Sequence, residues 1–280
     1  MPEPVSEKAT GGAIRTGIGG WTYKPWRGTF YPEGLRQADE LGYAAAHLGT
    51  IEINGTFYKL QKPQSFAAWR DAAPDNFIFS IKASRFCTNR KVLAEAGEGI
   101  ARFFGQGIEE LGSKLGPILW QFMPTKRFDP EDFAAFLALL PGTCGGLPLR
   151  HALEVRHESF ACAEFVALAR RHGVAIVIAD HADHPQIADL TAEFVYARLM
   201  RTEEALPTGY TSEALADWAR IACCWRDGRA ADGLRYLGAS QPAAGAREVF
   251  VYMISGAKVR APAAATALAI ATGSPVPSGS

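Results

Sequence analysis

The chain has 280 residues, enough for one large domain or two small ones, and its 48% hydrophobic content can fill a substantial core. Its 29 Lys and Arg balance 29 Asp and Glu, and no block of like charge stands out, which excludes a generally basic nucleic-acid-binding coat. No apolar run approaches the ~18 residues that span a bilayer, and Met1 to Gly12 carries no apolar signal-like segment, so a cytoplasmic location and no membrane partner are expected.

Residues 1–12 and 272–280 are rich in small residues and Pro and read as disordered tails around a single domain at 13–271. Between them, β-type runs occur at Ile14 to Gly19, Thr50 to Asn54, Phe77 to Lys82, Pro117 to Phe122, Ala152 to Arg156, Val174 to Asp180, Phe194 to Leu199 and Glu248 to Met253. Segments of helical spacing follow most of them, for example Phe66 and Trp69, Leu93 to Leu111, Phe133 to Leu140, and Leu215 to Ala222. Eight alternating units predict an α/β fold of the TIM-type (β/α)₈ barrel class rather than a doubly wound sheet. Gly17, Gly19 and Gly20 run into Trp21 and lack the last glycine of a dinucleotide loop, which weakens the alternative. About a dozen residues including Pro185 separate strands six and seven, so the sixth βα unit should be irregular. Arg226 to Arg247, Gly- and Ala-rich, reads as an insertion before strand eight, at the N-terminal face, suited to an oligomer contact or a floppy loop.

The five cysteines, Cys87, Cys144, Cys162, Cys223 and Cys224, include no CxxC pair, which argues for reduced structural thiols and against a thiolate zinc site. The strands themselves carry the chemistry. If their outward positions are the apolar ones, then Glu52, Asn54, Lys82, Gln121, Glu154, Arg156 and Arg198 all point into the barrel near its C-terminal mouth. Burying so many polar groups as mere filling is costly, so a functional site is the better reading. Lys82, Arg156 and Arg198, with nearby Arg85, suit a small anionic ligand. Glu52, Glu154 and Asp180 supply carboxylates for general acid/base work or metal ligation. Guanidinium and ammonium groups among them disfavour a metal cluster, so no cofactor is expected and a divalent ion is the alternative. His157, beside Arg156, is a candidate proton shuttle, while His181 and His184 read as a solvated loop ending at Pro185. Trp21, Tyr23 and Trp26 in the first loop, and Tyr58 after strand two, are candidates for stacking against a ligand.

Several segments resemble one known family. Gly17-Ile18-Gly19-Gly20-Trp21-Thr22-Tyr23 with Trp26, Gly28 and Phe30-Tyr31-Pro32 is similar to the opening signature of domain-of-unknown-function family 72, the YecE-like family. Ile51-Glu52-Ile53-Asn54-Gly55-Thr56-Phe57-Tyr58 resembles its second signature, and Phe77 to Lys82 with Arg85 and Thr88 its third. Lys114 to Gln121, Leu153-Glu154-Val155-Arg156-His157 with Ser159, the Asp180 strand end, and Tyr196 to Leu199 continue the likeness in order. The resemblance implies a TIM-type barrel and no established reaction. It also exposes departures: Gly19 and Gly55 stand where the pattern has Ser, Asn89 where it has His, and Met200-Arg201 where it has His-Gly. Met253-Ile254-Ser255 stands where strand eight usually ends in paired asparagines. Three readings follow: an enzyme acting on a small phosphorylated or carboxylated molecule, a metal-dependent phosphodiester enzyme of the endonuclease IV kind acting on nucleic acid, and a non-catalytic ligand-binding barrel. The neutral net charge disfavours the second.

Overall fold

The computed structural model describes residues 12–238 and 245–275. Period-two alternation of apolar residues makes β1 (Ile14–Gly19), β2 (Thr50–Ile53), β3 (Ile78–Lys82) and β4 (Leu115–Gln121). A short hairpin, β5 (Thr143–Cys144) and β6 (Leu147–Pro148), then precedes β7 (His151–Glu154), β8 (Ala175–Ile176), β9 (Ile178–Asp180), β10 (Phe194–Leu199) and β11 (Glu248–Met253). The hairpin turns on Gly145 and Gly146, both at positive φ (54° and 79°), a conformation that suits glycine.

All pairings except the hairpin's are parallel, in the order β8-β7-β4-β3-β2-β1-β11-β10-β9. β8 and β9 are consecutive pieces of one strand, the sixth, separated by Val177. Its first piece pairs with β7 and its second with β10, and Val177 N–H donates to Leu153 O at 2.9 Å, so the ring of eight strands closes. Outside it lie α1 (Glu40–His47), α2 (Gly55–Tyr58), α3 (Pro63–Ala72), α4 (Arg85–Thr88), α5 (Gly97–Phe104), α6 (Pro130–Ala138), α7 (Ala163–Arg171), α8 (Ser212–Arg226) and α9 (Ala261–Ala271). Local chemistry sets their starts: Asp129 accepts from the N–H groups of Glu131 and Asp132 ahead of α6, and Thr211 Oγ1 accepts from Ala214 N–H ahead of α8.

Two apolar layers follow from the alternation. Residues such as Ile18, Ile51, Ile81, Trp120, Leu153 and Val251 face the helices, whereas Leu119, Ala152, Ala175, Val177, Phe194, Tyr196, Phe250 and Tyr252 fill the barrel. Inside, Tyr252 Oη bonds Thr50 Oγ1 at 2.8 Å and also meets Ser80 Oγ. Beyond Arg15 at its start, β1 contributes only Gly17 and Gly19 to this face: a Cβ on Gly17 would stand 1.9 Å from Thr50 O. Gly17→Ala should therefore force β1 from β2 and cost at least about 3 kcal/mol. Urea unfolding checks this; a change under about 1 kcal/mol would contradict the close approach.

The sixth unit is irregular, as the sequence predicts: no helix lies between Asp180 and Phe194. The segment after α8 was expected at the N-terminal face. Its described part instead climbs the barrel's flank beside α7: Arg235 O accepts from Ala188 N–H at 2.9 Å, Asp189 accepts from Leu237 and Gly238 N–H, and Arg235 pairs with Glu158 at 3.0 Å. The missing helix leaves apolar surface to cover, and Leu234, Tyr236 and Leu237 cover it. Residues 239–244 of that segment lie outside the described residues, as do residues 1–11 and 276–280 of the expected tails. Among the described residues no helix is long and apolar enough to cross a membrane.

Candidate active site

The inward residues of the strand ends meet at the C-terminal mouth. Arg198, at the end of β10 and 2% exposed, lies between two carboxylates: its Nη2 donates to Glu52 Oε1 at 3.0 Å and its Nη1 to Glu154 Oε2. Glu52 Oε2 also accepts from Tyr196 Oη at 2.7 Å. Glu154 is held further by Gln121 Nε2 at 2.9 Å and by Arg156 Nε at 2.7 Å. Burial alone would raise the Glu154 pKa, but the two guanidiniums, Gln121 and Lys82 overcome it and hold the group at about 2.

Glu154 therefore contributes stability that is fully present above its unfolded-state pKa near 4.5 and is lost as pH falls through about 2. The contribution should be about 3 kcal/mol. Glu154→Gln should flatten the acid limb of the stability curve by that amount in chemical unfolding between pH 5 and 2; an unchanged limb would contradict the pairing.

Lys82 is different. It is 7% exposed, forms no ion pair within 4 Å among the described residues, and rests its Nζ 4.3 Å from the centre of the Phe57 ring. Burial first, and then the Arg198 charge, lower its pKa to about 8. The mouth thus holds four cations, Lys82, Arg156, Arg198 and Lys258, against the two carboxylates Glu52 and Glu154. The four cations border an open cavity of about 650 Å³.

Asn54 and Tyr58 line this cavity with Gln121, Lys82, Arg156 and Arg198. Trp21 also lines it, edge-on to Trp69 at 5.3 Å. Other candidates lie elsewhere. Trp26 is fully buried in the core and donates its indole N–H to Lys258 O at 2.9 Å, while Tyr23 lies under the Lys258 ammonium at 4.8 Å. Arg85 is exposed, with its guanidinium 5.4 Å from the Phe86 ring centre. His157 Nδ1 accepts from Ser159 N–H at 3.1 Å, closing the turn after β7. Asp180 accepts from Tyr210 Oη at 3.1 Å and faces Arg201 at 3.8 Å, and burial raises its pKa. His181 and His184 stack at 3.9 Å, and His184 is kept low by burial and then by the Arg156 charge.

Trp69 and Lys258 complete the lining of the mouth, and Tyr196 supports it from below through Glu52. Trp69 was hidden by its helical spacing in α3, whereas Tyr196 shares the inward parity of Arg198 two residues on and was readable on that ground. Among the described residues no three His, Cys, Asp or Glu side chains converge to hold a metal ion. The carboxylates that would have to serve, Glu52 and Glu154, already accept from guanidinium, amide and phenol donors, so this donor set does not fit a metal.

Residues 15–278 match the family model described as Protein of unknown function DUF72. The chain belongs to the DUF72 family. The UPF0759 protein YecE of Escherichia coli K12 is 27% identical over 150 residues, covering 52% of this chain and 50% of YecE. The chain thus aligns with about half the length of the curated relatives it matches. A DUF72 family protein from Thermotoga maritima superposes with a TM-score of 0.67 at 22% identity, covering 91% of this chain and 96% of that one. Another, from Enterococcus faecalis, gives 0.65 at 18% identity, covering 94% and 98%. These two likenesses support the TIM-like barrel fold alone. A Cβ on Gly19 would stand 2.6 Å from Ile254 Cδ1 and 2.8 Å from Asn54 Nδ2, so Gly19 leaves the space that Ile254 occupies. One wall of the mouth is thereby apolar: Met253 and Ile254 stand there, beside Ser255 at the unusual φ of 69°.

Proposed function

We propose that this DUF72 protein is an enzyme that binds a small phosphorylated or carboxylated molecule at the mouth of its barrel and transfers a proton to or from it. The observation that carries this reading is Lys82, a buried ammonium that forms no ion pair within 4 Å among the described residues, beside a cavity large enough for a small metabolite. Protonated, Lys82 attracts an oxyanion together with Arg156 and Lys258. With its pKa near 8 it can also give up a proton at neutral pH, which a lysine in water does not readily do. Glu52 and Glu154 act here as positioning groups: they fix Arg198, and Glu154 fixes Arg156. The Glu154 carboxylate, held at about 2, is poorly matched to proton transfer near neutrality. Trp21 and Trp69 offer an apolar face for the uncharged part of the substrate.

Sulfate tests the binding half of this reading because its charge does not change between pH 6 and 10. Its affinity, measured by calorimetry, should be level up to about pH 8 and then fall by up to tenfold per pH unit as Lys82 loses its proton. A flat profile to pH 10 would remove Lys82 from the binding site. Turnover is then sought among phosphorylated and carboxylated metabolites; tight binding with no turnover of any bound compound would favour the non-catalytic barrel.

A further inference from the structure

A second cavity, of about 530 Å³, opens between the strand starts at the opposite end of the barrel, bordered by Arg150, Arg170, Arg247, Glu193, Phe194 and Glu248. Three of these six side chains are guanidiniums, and the two carboxylates do not neutralise them. Glu248 is fully engaged: Oε1 accepts from Arg15 Nε at 2.6 Å and Oε2 from Arg150 Nη1 at 2.5 Å. Glu193 is exposed and forms no ion pair among the described residues. Arg150 is immobilised over Phe194 and Phe250, 5.5 and 5.1 Å from the ring centres.

Among the described residues, Arg170 and Arg247 form no ion pair within 4 Å. Arg247 is 4% exposed; its Nε donates to Ala192 O at 3.2 Å, but its Nη1 is buried with no partner among the described residues. Arg170 Nε and Nη2 are likewise buried and unpartnered. An unsatisfied buried polar group costs on the order of 1–3 kcal/mol, and more when charged. Burial accordingly lowers the Arg247 pKa, the reverse of the shift a carboxylate partner produces. Neither residue borders the mouth, and the N-terminal end of a barrel ordinarily serves stability rather than chemistry. An uncompensated pair of cations there is a stability cost that a bound acceptor would remove.

We propose that this basal cavity is a second anion site, in which Arg170 and Arg247 bind a small oxyanion group, phosphate or carboxylate. A planar guanidinium presents two parallel donors to such a group, and the unpartnered N–H groups are those that need acceptors. The site does not depend on the function proposed for the mouth.

The test combines selenate crystallography with thermal unfolding. A crystal of the full chain soaked in selenate should show an anomalous peak within hydrogen-bond reach of Arg170 and Arg247, lost in Arg247→Met and retained in Lys82→Met. Competing inorganic phosphate or malonate should displace it, and the better competitor tells which oxyanion class is held. In anion-free buffer Arg247→Met should melt at a higher temperature than the natural chain, because an unpaired buried charge is gone. It should also lose the part of the sulfate-induced rise in Tm that Lys82→Met keeps. Arg170→Met provides the same readout should Arg247→Met fail to fold. A peak that persists in Arg247→Met is an adventitious ion, and with displacement by neither competitor, or a variant that melts lower with an unchanged sulfate response, it would overturn the proposal.

Discussion

Arg198→Met should destabilise the protein by about 3–5 kcal/mol, because it strips the shared partner from two buried carboxylates at once. Glu52 and Glu154 are 0% and 1% exposed, so water cannot take the place of the guanidinium without opening the barrel. The loss should appear as a lower urea midpoint at pH 7 with the slope unchanged. Glu52→Gln with Glu154→Gln in the same chain should restore much of it, since the penalty belongs to the orphaned charges rather than to the missing contacts. A loss below about 1 kcal/mol would mean that the three groups are not a coupled unit.

Lys82→Met should have opposite effects on stability and on binding. Folding lowers the Lys82 pKa from 10.5 to about 8, so between those values the unfolded chain binds more protons and stability rises with pH. Below about pH 8 the full penalty is present, on the order of 3 kcal/mol. Removing the ammonium should return much of that at pH 7 and remove the pH-dependent rise. Sulfate affinity should fall at least about 30-fold, the loss expected when one partner of a desolvated charge pair goes. Such a trade of stability for binding is the usual mark of a functional group held in an unfavourable place. A variant that is both less stable and undiminished in binding would identify Lys82 as structural.

Much of this arrangement was legible before the structure. Period-two alternation alone set Glu52, Lys82, Gln121, Glu154 and Arg198 on one face of successive strands, and parallel pairing in near register brought their ends together. What alternation could not show is how the charges pair. Arg198 reads as an anion ligand by composition, yet in the barrel it is enclosed by two carboxylates, which shifts the ligand-facing role towards Lys82 and Arg156. Trp26 and His157 illustrate a second limit. Trp26 ends a one-turn 3-10 helix and His157 caps another, and side-chain direction there is set by local turns and by distant carbonyls such as that of Lys258, neither of which has a period to read. The path of the segment after α8 was equally hidden, because it depends on a helix that the sixth unit lacks.

A crystal structure grown in phosphate, with an X-ray fluorescence scan for metals, should show an oxyanion at the mouth in contact with Lys82 and Arg156, while Glu52 and Glu154 stay paired to Arg198 with no metal beside them. A metal on Glu52, Glu154 or Asp180 would contradict this and turn attention to phosphodiester substrates, and an empty mouth at saturating phosphate would remove the anion site.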